Sequence, residues 1–185
     1  DGGIIKFNYL SNTVSTANVI NECINHSVKR LIFTSTMAVY GHGNPPFDED
    51  DIPEPIDPYG IAKFACEMDI KVAGEQHNLD WCIIRPHNVY GIKQNIWDRY
   101  RNVLGIWMNQ HINNKPFTIF GDGEQTRNFS DVDDCLFCLD KLITSKEILS
   151  QTFNIGPDEE SISINELYKM LCNKLQYNEP AQYVN

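Results

Sequence analysis

The sequence predicts an α/β domain built on a doubly wound parallel sheet. Short apolar runs rich in strand-forming residues, at 31–35, 81–85, 117–120 and 152–155, read as buried strands. Between them lie segments of about 15 residues whose apolar positions recur at helical spacing. Alternating elements of this kind build parallel β-α-β units with helices on both faces. The 185 residues are 42% apolar and 11% aromatic, enough to bury a core.

Each element has its own local cause. Val14, Ala17, Ile20, Cys23 and Ile24 mark an amphipathic helix from about Thr13 to Ser27. The strand at 31–35 ends in hydroxyl residues ahead of Tyr40-Gly41. Residues 41–58 hold five prolines and the acids Asp48 to Asp51, which predicts an extended, solvated surface loop, and no helix can begin before Pro58. A helix from Tyr59 to about His77 then leads into the strand Trp81-Cys-Ile-Ile-Arg85. A third helix is expected over 99–111, a strand over 117–120 and a turn at Gly121-Asp-Gly123. A helix over 132–144 precedes the strand 152–155, which stops at Gly156-Pro157. Ser163-Ile-Asn-Glu166 is a capping box that opens a last helix to about Leu175.

Charge narrows the function classes. Fifteen basic and 25 acidic residues leave a net charge of −10, which argues against nucleic acid, whose binding rests on lysines and arginines displacing counterions. An anionic ligand must be met by a few placed cations. No apolar run approaches the roughly 18 residues that span a bilayer, and no secretory leader is expected, so the reading is cytoplasmic with no membrane partner. The six cysteines, including Cys135 and Cys138 on one apolar helix face, read as reduced core residues. The sequons at Asn25 and Asn128 read as chance. His42, His77 and His111 have no companions at ligand spacing, so no metal is expected.

Ligands of a doubly wound sheet sit at the carboxyl ends of its strands. That directs attention to Thr34-Ser35-Thr36 and to the polar segment from Arg85 to Tyr90. Tyr59 and Lys63, four apart, share one face of a helix near its N-terminus. That spacing also fits a plain surface pair. As an acid/base device it makes physical sense: bringing a phenol from about 10 to about 7 takes roughly 4 kcal/mol, part of which a close ammonium supplies. A hydroxyl from Thr36 would hold a substrate hydroxyl in line.

The segments Phe33-Thr-Ser-Thr-Met-Ala-Val-Tyr-Gly41, Pro58-Tyr-Gly-Ile-Ala-Lys-Phe-Ala-Cys-Glu67, Ile84-Arg-Pro-His-Asn-Val-Tyr-Gly91 and Phe120-Gly-Asp-Gly-Glu-Gln-Thr-Arg-Asn-Phe129 carry a resemblance. Together they resemble the extended short-chain dehydrogenases/reductases, specifically the NAD-dependent nucleotide-sugar epimerases of the UDP-glucose (UDP-galactose) 4-epimerase type. The resemblance spans about residues 8–175. It implies an incomplete Rossmann-like fold: residues 1–90 as the later half of the NAD-binding domain, and 91–185 as mostly substrate-binding with returning core elements. It further implies Tyr59 as catalytic base, Lys63 as partner of the tyrosine and the cofactor, and Thr36 as the hydroxyl that orients substrate. Pro86, Asn12 and Ser35 fall at cofactor-binding positions, although Ser15 stands where the family's Asn-x-x-Gly-Thr has glycine. Asn88 and Arg127 fall at substrate positions, the latter gripping a diphosphate.

The implied cofactor is NAD, the implied partner a nucleotide sugar (most simply a UDP-sugar), and the implied assembly a homodimer through the helices at about 13–27 and 59–77. Met37 and Ala38 stand where dehydrating and decarboxylating relatives carry an acid, which favours epimerisation. Thr36, Asn88 and Arg127 each also have a plain reading, as a strand-end hydroxyl, a turn residue and a surface cation, and His87 reads as packing. The family's opening strand and Gly-x-x-Gly-x-x-Gly are not in this sequence. The chain is therefore expected to be part of a larger enzyme, inactive alone, with strand 31–35 at an open edge. Other reductases, epimerases or decarboxylases of the family stay open, as does a non-catalytic fragment that binds a sugar nucleotide or a partner.

Overall fold

A computed structural model of the chain describes residues 3–43, 45–98, 102–158 and 160–184. They form α1 (Gly3–Asn8), a π-helical segment (Tyr9–Val14), α2 (Ser15–Asn25), β1 (Arg30–Thr34), a 3-10 turn (Met37–Tyr40), α3 (Pro58–His77), β2 (Asp80–Pro86), β3 (Asn88–Tyr90) and α4 (Val103–Ile112). Then follow β4 (Thr118–Phe120), β5 (Thr126–Arg127), β6 (Phe129–Asp131), α5 (Val132–Thr144), β7 (Gln151–Ile155), β8 (Ile162–Ser163), α6 (Ile164–Leu175) and β9 (Gln182–Val184). The α/β class and its parallel pairing are as the sequence predicts. Two compact units result, Asp1–His87 with Leu136–Ile155, and Asn88–Cys135 with Gly156–Asn185; the division falls within α5.

The first unit holds a parallel sheet in the order β1-β2-β7. β2 runs through its middle, with Cys82, Ile83 and Ile84 buried, because a strand paired on both sides and covered by helices is apolar throughout. β1 pairs only with β2 among the described residues and so lies at an edge. Ile20 and Cys23 of α2 pack with Ile70 and Ala73 of α3 and with Ile83. Asp57 opens α3 by accepting from the Gly60 N–H at 2.7 Å, with Pro58 in the first turn.

Several boundaries differ from expectation. The first helix does not start near residue 13: the chain is helical from Gly3, and Tyr9–Val14 widens into a π turn in which Ser15 Oγ donates to Leu10 O five residues back. Ile4, Ile5, Phe7 and Leu10 are exposed, so no one-sided stripe announces this helix. It ends at Asn25, sooner than expected, because Ser27 turns to φ 52 and Val28 N–H closes onto Cys23 O. The helix expected over 99–111 is α4, capped by Asn102; residues 99–101 lie outside the described residues. The acidic loop is not wholly solvated: the Glu49 carboxylate turns in and accepts from the Asn154 N–H at 2.6 Å.

The second unit has short pairs, β3 with β6 and β4 with β9 in parallel, and β5 with β8 antiparallel. Its core is Trp107, Phe117, Ile119, Ile164 and Leu167, and the Trp107 indole N–H donates to Thr118 O at 2.8 Å. The capping box forms as predicted, Ser163 accepting from the Glu166 N–H while the Glu166 carboxylate accepts from the Ser163 N–H.

Candidate functional site

In the first unit, the carboxyl end of β1 and the first turns of α3 come together. Thr36 leaves β1 in extended geometry and caps the 3-10 turn, its Oγ1 accepting from the Ala38 N–H at 3.2 Å. Gly60 lets α3 approach the same turn closely, since a Cβ there would lie 2.7 Å from Ala38 O. The Tyr59 phenol is thereby brought close enough to the Thr36 hydroxyl to be influenced by it. One turn on, Lys63 Nζ donates to Thr34 O at 2.8 Å and lies 4.5 Å from the centre of the Phe33 ring. Thr36, Tyr59 and Lys63 thus gather where the sequence places them.

The electrostatics depart from the expectation of an ammonium-depressed phenol. Burial pushes the Tyr59 pKa above its ordinary value; the neighbouring Thr36 side chain opposes this and the Asp57 charge adds to it. Lys63 is not among these influences, because its ammonium is turned to Thr34. Burial also lowers the Lys63 pKa, against the pull of Cys66 and Glu67.

The expected cofactor positions divide. Ser35 is 3% exposed, and its hydroxyl has no hydrogen-bond partner, although its N–H donates to Ile84 O. A buried hydroxyl left open at a strand's carboxyl end suits a ligand that completes it, so Ser35 fits a position against a bound cofactor. Thr13 Oγ1 is likewise buried and open. Asn12 is committed elsewhere, its amide donating to Asn8 O at 3.1 Å within the π turn. Pro86 ends β2, half-buried. His87, whose N–H donates to Ile155 O, is held below its ordinary pKa by burial alone, as befits a packing residue.

Asn88 and Arg127 belong to the second unit and line one cavity of about 210 Å³ together with Thr118, Phe120 and Gln125. The Asn88 amide donates to Asn128 O at 2.9 Å. Arg127 is exposed on β5 and donates to its own strand's Thr126 O at 2.7 Å. Asn88 also borders a larger cavity of about 450 Å³ with Tyr90, Lys93, Gln94 and Asn102.

Sequence reasoning passed over one cluster. Arg85 and Glu67, 1% and 0% exposed, form a bidentate ion pair, and Arg85 also donates to the Tyr40 hydroxyl. The sign was present: an arginine closing the apolar run Trp81-Cys-Ile-Ile, and a glutamate beside Ala65-Cys66 on a helix face otherwise apolar. Among the described residues, no group of three or more His, Cys, Asp or Glu is placed to hold a metal ion.

The family model described as NAD dependent epimerase/dehydratase matches residues 6–156. A putative UDP-glucose 4-epimerase of Methanocaldococcus jannaschii is 32% identical over 175 residues, covering 93% of this chain and 55% of that protein. A UDP-N-acetylglucosamine 4-epimerase from Methanobrevibacter ruminantium, solved with UDP-N-acetylmuramic acid, superposes with a TM-score of 0.88 at 28% identity, over 96% of this chain and 56% of that one. A UDP-glucuronic acid 4-epimerase from Bacillus cereus, solved with UDP-glucuronic acid and NAD, gives 0.80 at 30% identity, over 91% and 52%. The chain spans about half the length of the curated relatives it matches.

Proposed function

The chain belongs to the NAD dependent epimerase/dehydratase family, and from that premise we propose that it carries the catalytic residues of a nucleotide-sugar 4-epimerase of the UDP-hexose type. One observation carries the reading: Tyr59 stands in the first turn of α3 against the turn that Thr36 caps, while Lys63 is held one turn further along α3. Bound NAD supplies the hydride acceptor and a positive charge. Thr36 holds the sugar hydroxyl, and Tyr59 Oη takes its proton and returns it to the same oxygen. The resting phenol is held above its ordinary pKa, so positive charge joining the site would favour Tyr59 as a base. Lys63 contributes once its ammonium leaves Thr34 O. Ser35 would complete its open hydroxyl on the cofactor; in the second unit, Asn88 and Arg127 would meet a diphosphate, Arg127 as a two-pronged cation.

Expected from the full natural protein, given NAD and UDP-glucose or UDP-N-acetylglucosamine, is the 4-epimer, followed by coupled assay or NMR. Tyr59→Phe removes it; wild-type turnover in that variant would falsify the assignment.

A non-catalytic sugar-nucleotide binder is favoured by one feature: Asn88 and Arg127 line their cavity within a unit that contains neither Tyr59 nor Lys63. Calorimetry on the 185-residue chain separates the readings, since binding of a UDP-sugar without NAD, and no turnover in the full protein, supports the binder. Homodimer formation through α2 and α3 is part of the proposal, supported by exposed Val19, Ile61, Met68 and Val72. Among the described residues no helix is long and apolar enough to cross a membrane.

A further inference from the structure

Arg85 and Glu67 are the two charged side chains buried among the described residues, and the chemistry assigned above makes no use of them. Burying an ion pair costs several kcal/mol per ion before the pair repays it, so such pairs are weak evidence of stability and better evidence of a fixed register. The contacts of this pair show what is registered. Arg85 Nε and Nη2 donate to the two Glu67 oxygens at 3.1 and 2.6 Å, and Nη1 donates to Tyr40 Oη at 2.6 Å and to Glu49 O at 3.4 Å. Glu67 lies on α3, four residues after Lys63 and eight after Tyr59. Tyr40 closes the 3-10 turn that Thr36 caps.

We infer that Arg85 is a positioning residue for the candidate site: one guanidinium fixes the helix bearing Tyr59 and Lys63 through Glu67, and the turn bearing Thr36 through Tyr40. The inference rests on the role proposed for Thr36 and Tyr59. Apolar packing supplies no directional constraint here: Ala62, Cys66 and Ala73, which α3 buries with Ile70, are small. A planar fork facing a carboxylate is directional; moving one residue along a helix shifts a side chain about 1.5 Å along the axis and 100° around it.

Tyr40 is itself held on every side. Its ring stacks on Phe47 at 4.5 Å, and its hydroxyl proton is available to Asn154 Oδ1 at 2.8 Å or Asp48 O at 2.9 Å. Burial raises its pKa, against Arg85 and Asn154, which keeps that proton in place. The acidic loop thereby joins the same frame, since Asn154 also receives Glu49 on its N–H and donates to Phe47 O.

Two variants of the full protein test this. Tyr40→Phe keeps the ring stack and removes the oxygen that Arg85 grips. The pair Glu67→Leu with Arg85→Met replaces the ions by apolar volume, which restores burial without restoring the fork. Both are expected to melt within a few degrees of wild type while kcat falls about tenfold or more and KM moves less than about threefold, the signature of misplacement rather than lost binding. A second readout does not depend on turnover: the Tyr59 phenol titration, taken as the absorbance difference at phenolate wavelengths between each protein and its Tyr59→Phe counterpart. It is expected to move to higher pH in both variants as the Thr36 hydroxyl, whose influence lowers the Tyr59 pKa, draws away. Folded variants with kcat within twofold of wild type and an unchanged Tyr59 titration overturn the inference. If the wild type turns over no nucleotide sugar, the proposed function falls, and the titration alone decides the positioning role: an upward shift upholds it and an unchanged midpoint rejects it. If the double variant does not fold, Tyr40→Phe decides.

Discussion

Gly60→Ala is the sharpest single perturbation of the candidate site. The added Cβ would sit 2.7 Å from Ala38 O, 3.2 Å from Ala38 C and 3.2 Å from Pro55 Cβ, and ordinary contact begins at 3.4 Å. Two of these neighbours are backbone, so no flexible side chain can yield, and the first turn of α3 must retreat by about 0.7 Å, the difference between 3.4 and 2.7 Å. Tyr59 precedes Gly60, and Thr36 caps the turn that contains Ala38, so the retreat draws Tyr59 away from Thr36 directly. Overpacking costs about 1–3 kcal/mol, and replacing a helical glycine by alanine returns about 1 kcal/mol. The net loss of stability is therefore only about 0–2 kcal/mol. Misplacement approaching 1 Å is expected to lower kcat by about tenfold to a hundredfold.

The assay pairs denaturant unfolding with steady-state epimerase kinetics, and Gly74→Ala serves as control. Its Cβ would press on Trp81 Nε1 at 2.6 Å and Leu79 O at 3.1 Å, toward the far end of the same helix. It is expected to lose stability and keep its kcat. Wild-type turnover in folded Gly60→Ala, or an equal fall in kcat for both variants, refutes the reasoning.

Asp57→Asn keeps a competent N-cap but removes a charge that raises the Tyr59 pKa. The rising limb of kcat/KM against pH, which reports a base losing its proton, moves to lower pH, with stability changed by less than about 0.5 kcal/mol; a limb that stays put counts against Tyr59 as the base. Arg127→Ala is expected to raise KM for the nucleotide sugar about tenfold to a hundredfold with a smaller change in kcat, as for a lost charged hydrogen bond of roughly 1.5–3 kcal/mol, and an unchanged KM removes Arg127 from the diphosphate. Burial first, then Cys172, push the Tyr168 pKa up to about 12. Its neutral phenol is favoured in the fold, so the stability it contributes is whole below about pH 10 and is lost as pH rises toward about 12. Alkaline unfolding of Tyr168→Phe followed by circular dichroism should show a shallower decline across that window.

Much of the candidate site is local and therefore legible. Tyr59 and Lys63 share a helix face because four residues make about one turn, and Asp57-Pro58 starts that helix where the sequence requires it. The Ser163–Glu166 capping box forms because both partners lie within one turn. Edges fared worse where no contrast marks them: α1 and the π turn carry apolar side chains to solvent, so a one-sided stripe does not show. The strands β3 and β6 are three residues each and exist through pairing with each other, which no local run of residues reports.

By itself, the sequence determined the α/β alternation, the helix that bears Tyr59 and Lys63, the hydroxyls that end β1, and the family motifs, because each depends on residues within a few positions of one another. Tertiary structure alone decided which way charges point and what a buried group meets. Lys63 turns to Thr34 O instead of the phenol. Glu49 folds inward from an acidic loop onto Asn154, 105 positions away. Arg85 joins Glu67 and Tyr40, separated from it by 18 and 45 positions. The physical reason is common to all three: a polar group taken from water must find its partner in space, and the nearest partner in space is set by how the helices settle on the sheet.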